Sequence, residues 1–318
     1  MRTINFEAMG SRVNIVLDAD EEGVYVAALR ARDWFEQWEQ SLSRFRLTSE
    51  LSEVNRHHGF PVKVSHTFME VLTLSLSNEA KTGGLVTPTI LNDLEGAGYT
   101  GTFENIADQI GSVLRRPAFF SDPDARIEID PENQTVTLPF GTRIDFGGVG
   151  KGWAAHQTML RLKDLSPLLV DAGGDISISG PRRDGTEWPI AVANPFDKDR
   201  PLELLMLSRG GVATSGRDYR RWTAGGAPQH HLIDPRSHAP ANTDILTATV
   251  VAENVMDAEV NAKMGLILGS LEGSTWLESQ PHLEYLLVLE NGKSIKNQEF
   301  IKKQWNELWP QLTQNLSI

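Results

Sequence analysis

Apolar positions along the chain change rhythm repeatedly, and each change marks a boundary between strand-like and helix-like sequence. "INFEAMGSRVNIVLDA", residues 4–19, alternates and predicts a first strand pair. Residues 22–45 then carry Leu29, Phe35, Trp38, Leu42 and Phe45 at helical spacings, which predicts one helix with a core-facing stripe. "TSELSEVNR" follows, with Ser49 or Thr48 placed to cap a short helix. "SHTFMEVLTLSLSNEAKTGG" predicts a second long helix closed by Gly83 and Gly84. Residues 125–146 alternate on both sides of a Pro-Glu-Asn turn and predict a hairpin. A helix through Trp153 to Leu162 comes next, then strand, Gly-Gly turn and strand in "SPLLVDAGGDISISG", and short strands over 188–212. "ILTATVVAEN" reads as a strong strand, "VMDAEVNAKMGLILG" as a helix, and "YLLVLENGKSIKNQEF" as a hairpin turning at Asn-Gly. Strands and helices mix without a βαβ rhythm, so the expected class is α+β, with mixed or antiparallel sheets and packed helices. No repeat or linker divides the chain. One domain over 1–318 is expected, or two intimately packed lobes with the site between them.

Composition narrows the function. No run approaches the length of apolar sequence a membrane span needs. The first residues lack an apolar export segment, which points to the cytoplasm for this form and to an extracytoplasmic location if it is a processed one. With no cysteine, thiolate metal sites, disulfides and thiol nucleophiles are excluded. The formal charge of −12 argues against nucleic acid as a partner. An acidic protein that binds a polyanion usually recruits a metal cation. The one basic cluster, "GRDYRRW" at 216–222, is read as a solvated surface loop.

Three stretches carry candidate chemistry. "DFGGVGKG", 145–152, has the small residues and lysine of an anion-binding turn before a helix, yet it matches neither the P-loop nor the dinucleotide spacing. Lys151 would supply charge, and Asp145 a contact to a base edge, a ribose hydroxyl or Lys151 itself. Gly173, Gly174 and Asp175 repeat the motif of a glycine turn beside a carboxylate. "QHHLIDPRSHAP", 229–240, offers His231 and Asp234 as a base–carboxylate pair, or simply a polar loop; zinc is disfavoured because Pro235 interrupts any helix. Asp257 and Asn261 stand four residues apart on one helical face, suiting either Mg²⁺ or Ca²⁺ or an ordinary surface hydrogen bond.

Taken in series, these segments resemble the ApbE family of FAD:protein FMN transferases. "AMGSR", "LSRFRLTSELSEVNR", "GGLVTPTILNDLEGAGY", "DFGGVGKG", "DAGGDI", "ATSGRDY", "HLIDPRS" and "MDAEVNA" fall in family order from Met9 to about Gly269. The resemblance implies an ApbE-like (T-fold-like) architecture and FAD as substrate. FAD would be held by Met9, Phe45, Leu85, Val86, Thr87, Asp145, Lys151 and Leu232, with Gly173, Gly174, Asp175 and Ser215 in the matching motifs. Mg²⁺ would be bound by the Gly148 carbonyl, Asp257 and Asn261. His231 would transfer a proton or orient reacting groups, and Asp257 is a second candidate base. The implied reaction moves FMN from FAD to a Ser or Thr hydroxyl of an acceptor protein bearing an Asp-x-x-Ser/Thr-Gly-Ala-Ser/Thr-like sequence, releasing AMP. Hydrolysis of FAD to FMN and AMP, and a non-catalytic FAD carrier, are the alternatives. The sequence departs from the family pattern at Thr87, Asn261, Ser237 and His238, the last placing an imidazole near the expected site.

Overall fold

The structure, a computed structural model, describes residues 1–102, 126–224 and 226–305. Ala125, the first residue of the expected hairpin, and the C-terminal part of the expected 1–318 domain lie outside these. Eight strands make one sheet: β1 (Arg2–Ala8), β2 (Ser11–Leu17), β3 (Leu168–Ala172), β4 (Asp175–Ile178), β5 (Gly210–Gly216), β6 (Ile245–Ala252), β7 (Glu284–Leu289) and β8 (Ser294–Lys296). Their order across the sheet is their order in the chain, and every neighbouring pair runs antiparallel. Among the described residues the helices are α1 (Glu22–Ala28), α2 (Ala31–Leu42), α3 (Glu50–Arg56), α4 (His66–Lys81), α5 (Leu91–Gly96), α6 (Gly150–Leu162), α7 (Val255–Ser279) and α8 (Gln298–Lys303). The α+β expectation holds, with antiparallel pairing throughout this sheet. No helix among the described residues is long and apolar enough to cross a membrane.

The sheet is covered on both faces. On one, Phe35 and Trp38 of α2, Phe68 of α4 and Trp153 of α6 pack with Val13, Ile15 and Val170. Trp38 meets Phe35 and Trp153 edge to face at 5.3 and 5.1 Å. Farther along, α7 covers β5, β6 and β7 through Ala258, Ala262 and Leu266. On the opposite face a hairpin of Trp188–Val192 and Glu203–Leu207, together with Phe300, covers Ile178, Val212, Val251 and Leu286. All eight residues of β6 are therefore buried. A strand covered on both faces loses the alternation of a half-exposed one, as "ILTATVVA" does.

Four boundaries differ from expectation. The helix expected over 22–45 breaks between Ala28 and Ala31, where the Arg30 and Asp33 amides bond three residues back instead of four. It ends at Leu42 because Ser43 is extended, so Phe45 lies off the helix. The hairpin strands are short, Glu128–Asp130 and Thr135–Thr137, because Pro139 has no amide to donate and Gly141 turns at φ 80°. Finally, α7 continues past its expected end to Ser279, through a kink where Gly269 has φ 79°. Ser49 does cap α3, accepting from the Ser52 amide at 3.0 Å.

Gly211 on β5 sets how closely α7 approaches the sheet. A Cβ there would overlap the Val255 and Asn254 backbone at the start of α7. Gly211→Ala is expected to destabilise the protein by about 3 kcal/mol, the upper range for overpacking. Urea unfolding checks this, and an unchanged midpoint would contradict it.

Candidate active site

A cavity of about 930 Å³ gathers nearly all of the expected site residues. Met9 and Phe45 line it, as do Leu85, Val86 and Thr87. Asp145, Gly148, Lys151 and the Gly173–Gly174–Asp175 turn also face it, with Ser215, His231 and Leu232. The Thr87 hydroxyl is engaged with Glu79 and Thr89, both at 2.8 Å, so its backbone is the part left for a ligand. A shallower depression elsewhere, bounded by Glu187, Met206 and the segment near Trp305, brings together none of the motif residues.

Turn geometry brings these segments to one place. Met9 and Gly10 both take positive φ (52° and 64°), forming the tight β1–β2 turn. Gly173 and Gly174 do the same between β3 and β4. A Cβ on Gly173 would lie 2.6 Å from that of Ser11, so the two turns abut only because Gly173 lacks one. "DFGGVGKG" leads into α6, whose first amides no side chain caps, which leaves donors and the positive end of the helix dipole at the cavity. Asn55 of α3 clamps the neighbouring backbone: its side-chain amide donates to the Ile144 carbonyl and accepts from the Ile144 amide, both at 2.8 Å. The Asp145 amide then donates to Pro88 at 2.8 Å, tying in the loop that carries Thr87.

At the mouth of α6 four charged side chains alternate. Lys151 Nζ lies 2.5 Å from Asp175 Oδ2 and 3.7 Å from Glu259 Oε1, and Lys263 Nζ lies 3.0 Å from that same oxygen. Burial alone would lower the Lys151 pKa, but Asp175 and Glu259 together hold it above the usual value. Burial and the nearby Asp175 carboxylate push the Glu259 pKa up, against the pull of Lys263 and Lys151.

The expected metal set of Gly148, Asp257 and Asn261 is not brought together. Asp257 and Asn261 lie off the cavity; Glu259 and Lys263 face it instead. Residues two apart on a helix project about 200° apart, so α7 can present only one of these pairs. Asp257 is exposed, with Oδ2 accepting from Asn254 at 2.7 Å, and it is not positioned as a base for the cavity. The Asn261 amide oxygen accepts from the Trp276 indole at 3.0 Å. Among the described residues no three His, Asp or Glu side chains form a metal-binding group.

The far end of the cavity is aromatic and cationic. Buried Arg44 pairs with Asp145 at 3.0 Å, and its guanidinium lies 4.2 Å from the Phe45 ring centre and 4.5 Å from that of Tyr99. Asp145 is thus engaged by Arg44 and by the Gly147 amide at 2.8 Å, rather than by Lys151. Tyr99 stacks on Trp222, centroids 5.3 Å apart. Arg44 and Tyr99 stand inside the motif segments 42–56 and 83–99, but nothing in those segments joins them to each other or to Trp222, since only the fold brings positions so far apart together. Trp222 belongs to the basic cluster read as a solvated loop. That cluster instead forms cavity wall through Gly216, Asp218, Tyr219 and Arg220, while Arg217 is buried, its Nε donating to the Ile245 carbonyl at 2.6 Å.

The two adjacent histidines divide their roles. His230 is structural: Nδ1 accepts from the Leu232 amide at 3.3 Å, which leaves Nε2 to donate to the Ala241 carbonyl at 3.0 Å. His231 faces the cavity, and its buried Nδ1 has no hydrogen-bond partner among the described residues. Burial holds its pKa well below the usual imidazole value, helped by Arg220, His230, Lys151 and Lys263, so the ring is neutral near pH 7. It does not pair with Asp234, which is held bidentately by Arg236 with contacts of 2.8 and 3.0 Å. His238 is exposed, turned at φ 53° toward Asp93 at 3.0 Å, and does not line the cavity.

A sequential antiparallel sheet with a lysine-lined cleft between glycine turns defines an α+β protein whose motif segments meet at one cavity. The chain belongs to the ApbE family, whose sequence pattern matches residues 9–287. It is 25% identical over 297 residues to an FAD:protein FMN transferase of Klebsiella pneumoniae, covering 89% of this chain and 87% of that one. It is 26% identical to the Escherichia coli K12 protein of the same name, covering 81% and 75%. The crystal structure of the ApbE protein from Thermotoga maritima superposes with a TM-score of 0.83 at 25% identity, covering 96% and 99%. The flavin transferase ApbE from Vibrio cholerae shares the fold at a TM-score of 0.72 and 22% identity, covering 95% and 98%.

Burial lowers the His230 pKa to about 4. A folded-state value below the unfolded one near 6.5 means that the unfolded chain binds this proton first. The associated stability is complete above pH 6.5 and is lost as pH falls toward 4. Its size is at most about 3 kcal/mol at 1.36 kcal/mol per pKa unit. His230→Gln should flatten the dependence of unfolding free energy on pH across that window. An unchanged slope in urea titrations at several pH values would refute the assignment.

Proposed function

We propose that the chain transfers the FMN half of FAD to a Ser or Thr hydroxyl of an acceptor protein, forming a phosphoester and releasing AMP. The observation that carries this is a neutral, unpartnered His231 in the same cavity as the ammonium groups of Lys151 and Lys263. A base and a fixed cluster of cations are what attack on a pyrophosphate phosphorus requires. The acceptor hydroxyl would lose its proton to His231 as its oxygen bonds to the FMN-side phosphorus. The bond from that phosphorus to the bridging oxygen breaks, and AMP departs with the bridging oxygen.

The N-terminal end of α6 and the two lysines would take the pyrophosphate, and the Arg44–Phe45–Tyr99 end would stack a planar ring. The acceptor expected from the family resemblance carries an Asp-x-x-Ser/Thr-Gly-Ala-Ser/Thr-like sequence. The unit that acts is proposed to be the whole chain, since the eight-stranded sheet runs unbroken from β1 to β8. The Mg²⁺ implied by that resemblance would need oxygen donors on the cavity face of α7. There Glu259 is already engaged by a lysine, so the donor set does not fit the ion and no step is assigned to it.

Incubation with FAD and an acceptor polypeptide of that sequence tests the reading. Fluorescent acceptor on a denaturing gel together with AMP supports transfer. Free FMN and AMP would indicate hydrolysis, and intact bound FAD a carrier. His231→Ala is expected to slow transfer about 10²- to 10⁴-fold while FAD affinity stays within several-fold. Undiminished transfer in that variant would remove His231 from the chemistry.

A further inference from the structure

The face that α7 turns to the cavity carries Glu259, Lys263 and Ile267, four residues apart in succession. The stem of Lys263 lies against Gly148, where an added Cβ would meet its Cε at 3.4 Å. Gly148 is the residue whose carbonyl the family resemblance assigned to a metal, and here the space on its α7 side is filled by a lysine side chain. We infer that in this chain the ammonium groups of Lys263 and Lys151 take the place of a divalent metal at the pyrophosphate, so that FAD binding and FMN transfer do not require Mg²⁺. This rests on the flavin-transfer reading above.

The chemistry of the donors supports it. Mg²⁺ takes a near-octahedral shell of hard oxygen ligands at short range. The carboxylates at hand, Asp175 and Glu259, each already hold an ammonium, at 2.5 and 3.0 Å; the second Glu259 oxygen, Oε2, has no hydrogen-bond partner among the described residues but is packed against Gly152 of α6. A dication entering between them would break an ion pair and stand beside a like charge. The two side chains that could have served as ligands are engaged on the other side of the helix, Asp257 with Asn254 and Asn261 with Trp276. The lysines are positioned in advance. Lys263 Nζ has three protons, and among the described residues its hydrogen bonds are to Glu259, the carboxylate at 3.0 Å and the carbonyl at 3.5 Å. A proton therefore remains for a phosphate oxygen. Glu259 sits so close to α6 that a Cβ on Gly152 would lie 2.5 Å from its Oε2, which fixes the carboxylate that in turn aims Lys263.

The test compares FAD binding by the full chain, followed by quenching of flavin fluorescence, in excess EDTA and in excess MgCl₂. The dissociation constant should agree within about twofold, and acceptor labelling should persist in EDTA. In EDTA, Lys263→Met should weaken FAD binding about tenfold or more, the scale of one lost charge-assisted hydrogen bond. It should leave the affinity for riboflavin, which has no phosphate, within about twofold, and Lys263→Arg should retain FAD affinity. Riboflavin binding also reports that the Met variant is folded; if it is not, the EDTA comparison on the unaltered protein decides. The inference is overturned if MgCl₂ tightens FAD binding more than tenfold, if EDTA abolishes transfer, or if Lys263→Met binds FAD like the parent. Absence of FAD binding in both conditions would remove the flavin reading itself, and this inference with it. Binding that appears only with Mg²⁺ would remove this inference alone.

Discussion

Lys151 is largely shielded by protein, its side chain 19% exposed, and an ammonium so placed is tolerable where carboxylates stand within reach. Its two partners come from elsewhere in the chain, Asp175 from the start of β4 and Glu259 from α7. One cation therefore joins the N-terminus of α6, the β3–β4 turn and the longest helix. Glu259 can reach it only if α7 is rotated to bring positions 259 and 263 to the cavity, which carries 257 and 261 away. It can come close only because Gly152 on α6 and Gly211 on β5 leave no side chain in the gap. The packing of α7 and the charge pattern of the site are consequences of the same constraint.

Elements whose environment is one-sided were legible in the sequence. The β1–β2 pair, the glycine turn between β3 and β4, the capped α3 and the Asn-Gly hairpin each declare themselves through alternation or turn residues. The motif loops predicted the cavity walls for the same reason, since short glycine turns have few conformations. The rotation of α7 was not legible. Its first turns are buried nearly all round, so no polar face reveals which side meets solvent. Asp257–Asn261 and Glu259–Lys263 have the same spacing, and residue type favoured the pair with two oxygen donors. Only the contact with α6 distinguishes them.

His230 and His231 show the same limit at a strand end. His230 closes the short strand Ala227–His230 and His231 lies in the bend that follows, and one takes the cavity while the other takes a structural hydrogen bond. Which takes which depends on where the Ala241 carbonyl lies, and that is tertiary information. The Arg44–Asp145 pair is a further case: both belong to recognisable motifs, yet a hundred residues separate them, and their pairing leaves Asp145 for Arg44 rather than for Lys151.

The net charge of −12 suggested that any polyanion would need a metal to be received. That inference averages charge over the whole surface, whereas a bound ligand responds to what lies near it. At physiological ionic strength exposed charges are screened beyond about 8 Å, while groups around an enclosed cavity are screened much less. Around this cavity Lys151, Lys263 and Arg220 are the charges that depress the His231 pKa, after burial itself. A pyrophosphate entering there would offset those same cations and raise the basicity of the imidazole just as a substrate arrives to use it. Under the proposed function, the fixed charges of the two lysines would couple the basicity of His231 to occupancy of the cavity through the protein alone, and the acidity of the rest of the surface would not enter.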